Sequence, residues 1–251
     1  MAGRISARWL DGANGVGGEP VRVVESGGLA AAVGSVSLGE FGEEPLQRNL
    51  EDLAWLEATA RRHHGVIAGV AGRTPAIPMR LATVFHSDLG VAALLAARHE
   101  HFTEILRRVA GQAEWGLKVY LGQPGPAQNE AVPASGAGSG AAYLQRRRRE
   151  LSATEDARRA AMSSAEAIHS TLARLATAAQ LRSPQSAQLS GRASRMILNA
   201  AYLVAEERTS EFGAAADSMA GRHPGVVIEK TGPWPPYSFA TVDPALVQQT
   251  T

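Results

Sequence analysis

The histidines come first among residues whose type and spacing could do chemistry. His63 and His64 are adjacent, and His99 and His101 stand two apart. Adjacent helical positions diverge by about 100°, so His63 and His64 do not chelate together. A partly buried structural histidine is the better reading of the first pair, and the same holds for His99 and His101. Glu114 and Lys118 share a strand face opposite Trp115, and with His86 they are the set an enzyme would use for proton transfer. Alternating polar residues on a solvated strand face need no chemistry, however. Arg146 to Arg149 is the sharpest local charge, and its functional reading is nucleic-acid binding. Helical geometry spreads four consecutive residues around the axis, and Glu150, Glu155 and Asp156 offset part of the charge, which favours a solvated helix start. Gly12 to Gly18 looks like a dinucleotide loop, but no strand precedes it and no helix follows. The chain has no Gly-x-Ser-x-Gly elbow, phosphate-loop lysine motif or His-Glu-x-x-His. No catalytic, cofactor-binding or metal-binding residue is therefore assigned, and no cofactor is expected.

The most distinctive stretch is Thr231-Gly-Pro-Trp-Pro-Pro-Tyr-Ser-Phe239. Pro233, Pro235 and Pro236 fix φ and remove three amide donors, which excludes helix interior and central strand. Residues before proline are extended, so a polyproline II strap is predicted, with Trp234 and Tyr237 on one side. Aromatic residues make up 5% of the chain, yet three fall within these nine positions, so the strap must dock on something. One reading has Trp234, Tyr237 and Phe239 covering the sheet of the second domain. The other has them presented to a partner, since proline-stiffened aromatics lose little entropy on binding. Trp115, Trp234, Tyr237 and Phe239 are the candidate partner-binding residues.

Hydrophobic periodicity supplies the elements that must position these groups. Val21–Val24 and Leu29–Val36, separated by Gly27-Gly28, read as a strand pair. A helix is predicted over Pro45–Val70, with Leu46, Leu50, Leu53, Leu56, His63 and Val70 on its inward stripe. Met79–His86 alternates and reads as a strand. Ser87 is a plausible N-cap for a helix to about Ala110, with Val91, Leu95, Phe102, Leu106 and Val109 inward. Glu114–Leu121 alternates again, with Trp115, Leu117, Val119 and Leu121 facing the core. Gly122–Gly140 is rich in Gly, Pro, Ser and Ala and reads as a flexible segment. Ala141–Leu181 reads as helical with Met162, Ala165, Ile168, Leu172, Leu175 and Ala179 on its best face. Arg195–Val204 reads as a buried strand, Glu206–Ala220 as a helix and Gly225–Lys230 as the last strand.

The fold predicted is α+β in two domains. Residues 1–110 form the first; residues 111–240 form a modified ferredoxin-like sheet with a helical insertion at about 141–190 and an extended C-terminal tail; residues 241–251 fray. The 251 residues suffice for a proper core, and 45% hydrophobic with 20% charged residues is a globular composition. A net charge of +1 supplies no global field for nucleic acid or an anionic membrane. With no cysteine, disulfides, thiolate zinc sites and cysteine nucleophiles are excluded. The start Met1–Trp9 has no apolar core of a secretory signal, and no run of about 18 apolar residues spans a bilayer.

These stretches, in order, resemble one family. Asn49-Leu-Glu-Asp-Leu-Ala-Trp-Leu-Glu57 with Ala60-Arg-Arg-His-His64, Ile77-Pro-Met-Arg-Leu-Ala-Thr-Val-Phe85, Glu114-Trp-Gly-Leu-Lys-Val-Tyr120, Ala142-Tyr-Leu-Gln-Arg-Arg147 and the Thr231–Phe239 tail are similar to the GvpF/GvpL gas vesicle accessory proteins, most closely an actinobacterial member. The family opens with a tyrosine-containing strand and a Tyr-Gly turn. Met1–Gly18 has neither, so the start lies downstream of the usual one or the first domain lacks its first strand. The resemblance implies a cytoplasmic, non-enzymatic protein required for building gas vesicles. Its implied partners are the very hydrophobic main shell protein (GvpA type) and other accessory proteins; neither nucleic acid nor a membrane span is implied. It implies either an assembly factor or a minor component of the vesicle itself.

Overall fold

In a computed structural model, residue 10 and residues 12–122, 140–185 and 194–240 are described, with the side chains of 140–142 excepted. The predicted 241–251 tail, the Met1–Trp9 start and nearly all of the Gly122–Gly140 segment lie outside the described residues.

Gly27 and Gly28 have φ of 59° and 86°, the left-handed pair that a two-residue hairpin turn demands. They join β1 (Arg22–Ser26) to β2 (Leu29–Val33) in antiparallel register from Arg22↔Val33 to Ser26↔Leu29. After α1 (Leu38–Phe41), the predicted single helix over Pro45–Val70 is two, α2 (Glu43–Glu51) and α3 (Leu53–Ala71). Asp52 divides them. Its backbone is extended, at φ −82° and ψ 107°, and its carboxylate accepts from the amides of Ala54 (2.9 Å) and Trp55 (3.2 Å). An aspartate that caps a helix cannot also continue one. The predicted inward stripe is correspondingly broken, because Leu50 is 42% and Leu53 79% exposed while Val70 is buried.

Met79–His86 is not a strand. Ala82 has φ 64°, and the amide and hydroxyl of Thr83 both donate to the Arg80 carbonyl, at 3.2 and 2.7 Å. A left-handed residue at the centre of an alternating run destroys the pleat that alternation implies. The helix predicted after Ser87 is also two, α4 (Asp88–Ala97) and α5 (His99–Val109), divided at Arg98. Val91, Leu94, Leu95, Phe102, Ile105 and Val109 are its buried side chains. Helix α4 packs on the hairpin, and Arg22 reaches Asp88 through two hydrogen bonds, with Ser35 Oγ accepting a third at 2.8 Å.

The second half runs β3 (Gln112–Leu121), α6 (Gly140–Ala173), β4 (Ala178–Leu181), β5 (Met196–Ala205), a short 3-10 turn (Glu206–Arg208), α7 (Thr209–Arg222) and β6 (Val226–Trp234). The strands form one sheet in the order β4-β5-β3-β6. Residues 178–181 are strand where helix was predicted: the Thr177 amide donates to Leu203 O at 2.7 Å, and Ala178↔Leu203 opens an antiparallel ladder with β5. Pairing with a neighbouring strand outweighs local helix propensity here. Strand β5 buries consecutive residues from Ala200 to Val204, which accounts for its unbroken apolar run. Ile168, Leu172, Tyr202, Phe212, Leu117 and Val119 have almost no exposed surface and centre the core of this half. On α6, Ala161 is buried while Met162, predicted inward, is 41% exposed.

The chain divides into two compact units. One comprises residues 1–114 with 234–251, and the other residues 115–233. From Trp234 on, the closing strap thus belongs with the first unit, whereas the sequence suggests attachment to the second. Strand β6 extends past Lys230 through Pro233 to Trp234, on an edge of the sheet, where proline is tolerated. The Gly232-Pro233 peptide is cis.

Candidate functional site

Three polar side chains of the first unit hold the strap. Glu114, near the start of β3, is only 7% exposed. Its Oε2 accepts from the Ser238 amide at 2.7 Å, and its Oε1 accepts from the Ser238 hydroxyl. Both oxygens of a buried carboxylate are thereby spent on one strap residue, through charge-assisted bonds of the stronger kind. Arg108 of α5 donates from Nη2 to the Phe239 carbonyl at 2.8 Å. His64 of α3 pairs Nδ1 with the Tyr237 hydroxyl at 2.9 Å. Its ring stacks on Tyr237 with centroids 6.0 Å apart and meets Trp234 edge-on at 5.7 Å.

The strap is not polyproline II throughout. Tyr237 donates to Pro235 O, and both Phe239 and Ala240 donate to Pro236 O, so the chain curls after its last proline. Pro236, Phe239 and Ala240 are buried. Burial pushes the Tyr237 hydroxyl above its ordinary range, and the Glu114 carboxylate adds to the shift. On α3, burial lowers the His63 pKa from 6.5, and the neighbouring His64 lowers it further. At the near end of the strap, Trp234 remains 46% exposed.

The four candidate partner-binding residues do not belong to one unit. Trp234 and Tyr237 both lie against His64, and Phe239 is an interior residue of the first unit. Trp115 is a core residue of the second unit, 6% exposed, with Phe212 at 5.7 Å and the Lys230 ammonium 5.4 Å over its ring. That ammonium is fixed by Gly213 O at 3.2 Å and Asp217 at 2.8 Å. The solvated strand face predicted for Glu114 and Lys118 is corrected at Glu114, which lies buried under the strap. His99 bonds the Gly27 carbonyl through Nε2 at 2.9 Å and so braces the hairpin turn. Among the described residues, no group of three or more His, Cys, Asp or Glu side chains could hold a metal ion.

Spacing gave no sign of the anchors Glu114, His64 and Arg108, which lie 124, 173 and 131 residues from their strap partners. Glu114 carried one usable signal: a carboxylate beside Trp115 at the start of a largely apolar strand.

Such an arrangement spends its polar groups on holding the strap, by backbone and side chain alike, and leaves one indole outward, within a chain of mixed helix and sheet. The fold matches two crystal structures. GvpF from Anabaena sp. PCC7120 gives a TM-score of 0.64 at 16% identity, covering 97% of this chain and 94% of that one. GvpF from Microcystis aeruginosa gives 0.61 at 18%, covering 91% and 92%. Gas vesicle protein L of Streptomyces sp. (strain CB03234) is 42% identical over 243 residues, 96% of this chain and 90% of the relative. Gas vesicle protein F of the same strain is 27% identical, covering 88% of each. The profile of the gas vesicle synthesis protein GvpL/GvpF family matches residues 4–241, and the chain belongs to that family. Membership gives it a role in gas vesicle formation. Among the described residues, no helix is long and apolar enough to cross a membrane.

Proposed function

We propose that this protein is a cytoplasmic assembly factor that binds the hydrophobic main shell protein (GvpA type) during vesicle formation and works alongside other accessory proteins. The observation that carries this reading is Trp234. It is a large aromatic side chain, 46% exposed, at the end of an edge strand and on a strap that Glu114, His64 and Arg108 hold in place. A shell subunit whose apolar surface will line a gas space aggregates in water unless that surface is covered. A prepositioned indole beside an open strand edge offers cover at little entropic cost. The chemistry of the site supports a binding role over an enzymatic one, because its carboxylate and imidazole are engaged by the strap. We read the second unit as a variant of the ferredoxin-like sandwich, on the strength of its strand-helix-strand-strand-helix-strand order.

Co-expression with the shell protein tests the reading. Wild type should co-purify with the shell protein and keep it soluble, and folded Trp234→Ala should lose most of both effects. A shell protein that neither co-purifies nor gains solubility with wild type overturns it. In the alternative reading the protein stays in the vesicle as a minor structural component; its absence from extensively washed vesicles removes that alternative.

A further inference from the structure

Two exposed surfaces, one on each unit, combine uncovered leucines with opposite charge. On the first unit, α2 has an apolar face yet buries no residue. Leu50 on α2 and Leu53, the first residue of α3, are 42% and 79% exposed. Glu40, Glu43, Glu44, Glu51 and Asp52 neighbour them along the chain, with Arg48 the single basic residue between Leu38 and Leu53, and of these carboxylates Asp52 is already engaged by the amides of Ala54 and Trp55. Glu43 lies two turns before Leu50 on the same helical face.

On the second unit, the leading part of α6 lies almost wholly in solvent: from Tyr143 to Ala160 every side chain is exposed except that of Glu155, which is half-buried. Leu144, Leu151 and Met162 are 66%, 58% and 41% exposed. At about 100° per residue they fall within about 20° of one line along the helix. Arginines border that line on both sides. From Tyr143 to Ala160 there are six, against Glu150, Glu155 and Asp156. Arg147 pairs with Glu150 at 3.4 Å and Arg158 with Glu155 at 2.8 Å. Arg148 and Arg149 have no acidic partner among the described residues. The line ends in a cavity of about 130 Å³ lined by Met162, Leu121, Met196, Arg158 and Arg195, a size that takes one small apolar group. A helix polar on nearly all sides is held by its own ion pairs or by a partner, and this one carries an apolar line that its own pairs leave uncovered.

We propose that the acidic Leu50–Leu53 surface of one molecule docks on the basic α6 surface of a second copy, in a head-to-tail contact. Each surface supplies what the other lacks: uncovered leucines on both, a surplus of carboxylates on one and of guanidiniums on the other. Such a contact is heterologous, so it closes into a ring or grows as a chain of copies. It is independent of whether the shell protein is the ligand of the strap. With charges at its border, the contact weakens as salt shortens the screening length to about 10 Å at 0.1 M.

The test is sedimentation velocity on the full-length protein from about 1 to 100 µM, at low and high salt. Wild type should form species larger than a monomer that grow with concentration and recede with salt. Arg148→Glu with Arg149→Glu, and separately Glu43→Arg with Glu51→Arg, should each give a monomer whose circular dichroism and melting match wild type. Mixing the two variants should restore a salt-sensitive dimer, because each retains one native surface complementary to the other's. Leu53→Asp should also give a monomer. A monomeric wild type at the highest concentration, association that survives either pair of substitutions, or a mixture that stays monomeric overturns the proposal. So does loss of the larger species on nuclease treatment, which would mean that nucleic acid on the arginine run bridges the copies.

Discussion

The second unit closes its interior with apolar side chains that meet across a sheet. In the first unit, the last stretch of the interior is closed by a strap that polar groups hold. In the one, Ile168, Leu172, Tyr202 and Phe212 are at most 1% exposed. In the other, Phe239 and Ala240 are buried only where Glu114, Arg108 and His64 have bonded the neighbouring strap residues. Hydrophobic burial has no direction and tolerates repacking, whereas a buried carboxylate with two bonds to one serine specifies a single position for the strap. Removing material from the first kind of interior should therefore cost the most, and removing an anchor from the second should cost less but act locally.

The largest effect expected is that of Phe212→Ala. The ring contacts Trp115 at 5.7 Å and Tyr202 at 5.3 Å, and it is 1% exposed. Truncation should cost about 3–5 kcal/mol, measured by denaturant unfolding. Glu114→Ala comes next, at about 1–3 kcal/mol, because it removes the buried carboxylate that accepts from the half-buried Ser238 amide and hydroxyl. Its signature is a strap that becomes the first site of limited proteolysis while the second unit stays protected. If Glu114→Ala costs as much as Phe212→Ala, the contrast between the two units fails.

The same contrast explains what was legible in the sequence. The interior strands were readable because each is a local apolar pattern, and so were the Gly27-Gly28 turn and the buried side of α6 over Ala165–Leu172. The strap was recognisable as an ordered element from its prolines and aromatics, but its docking site was not. Its partners lie more than a hundred residues away, and the local hints, a carboxylate beside Trp115 and a partly buried histidine pair, say nothing of what those groups bind. Errors in the elements have equally physical causes: Asp52 stops one helix and caps the next, Ala82 turns left-handed within an alternating run, and strand pairing at Ala178 overrides a helical tendency.

Acid should destabilise the first unit through α3. Burial, reinforced by His64, lowers the folded His63 pKa below 6.5, so the unfolded chain takes up the proton first. This contribution to stability is complete above about pH 6.5 and is lost as pH falls into the interval below it. Melting temperature should therefore drop on going from neutral to mildly acidic solution, and His63→Gln should flatten that slope. An unchanged slope in the variant would place the acid sensitivity elsewhere.

Trp234→Ala should have the smallest effect on stability and the most informative one on function. The indole is 46% exposed and keeps one edge-on ring contact, with His64 at 5.7 Å. Losing that contact is worth about 0.5–1.5 kcal/mol, well below a core truncation. Phe239, three residues beyond Pro236 and 5% exposed, should cost several times more when cut to alanine, because it leaves a cavity. The two aromatics of one strap thus separate its two roles. If Trp234→Ala melts close to wild type and no longer retains the shell protein, the strap is both clamp and recognition surface. If binding is unchanged, the strap is a clamp alone, and the proposed shell-protein contact is to be sought on another surface, beginning with β4, the other edge strand of the sheet.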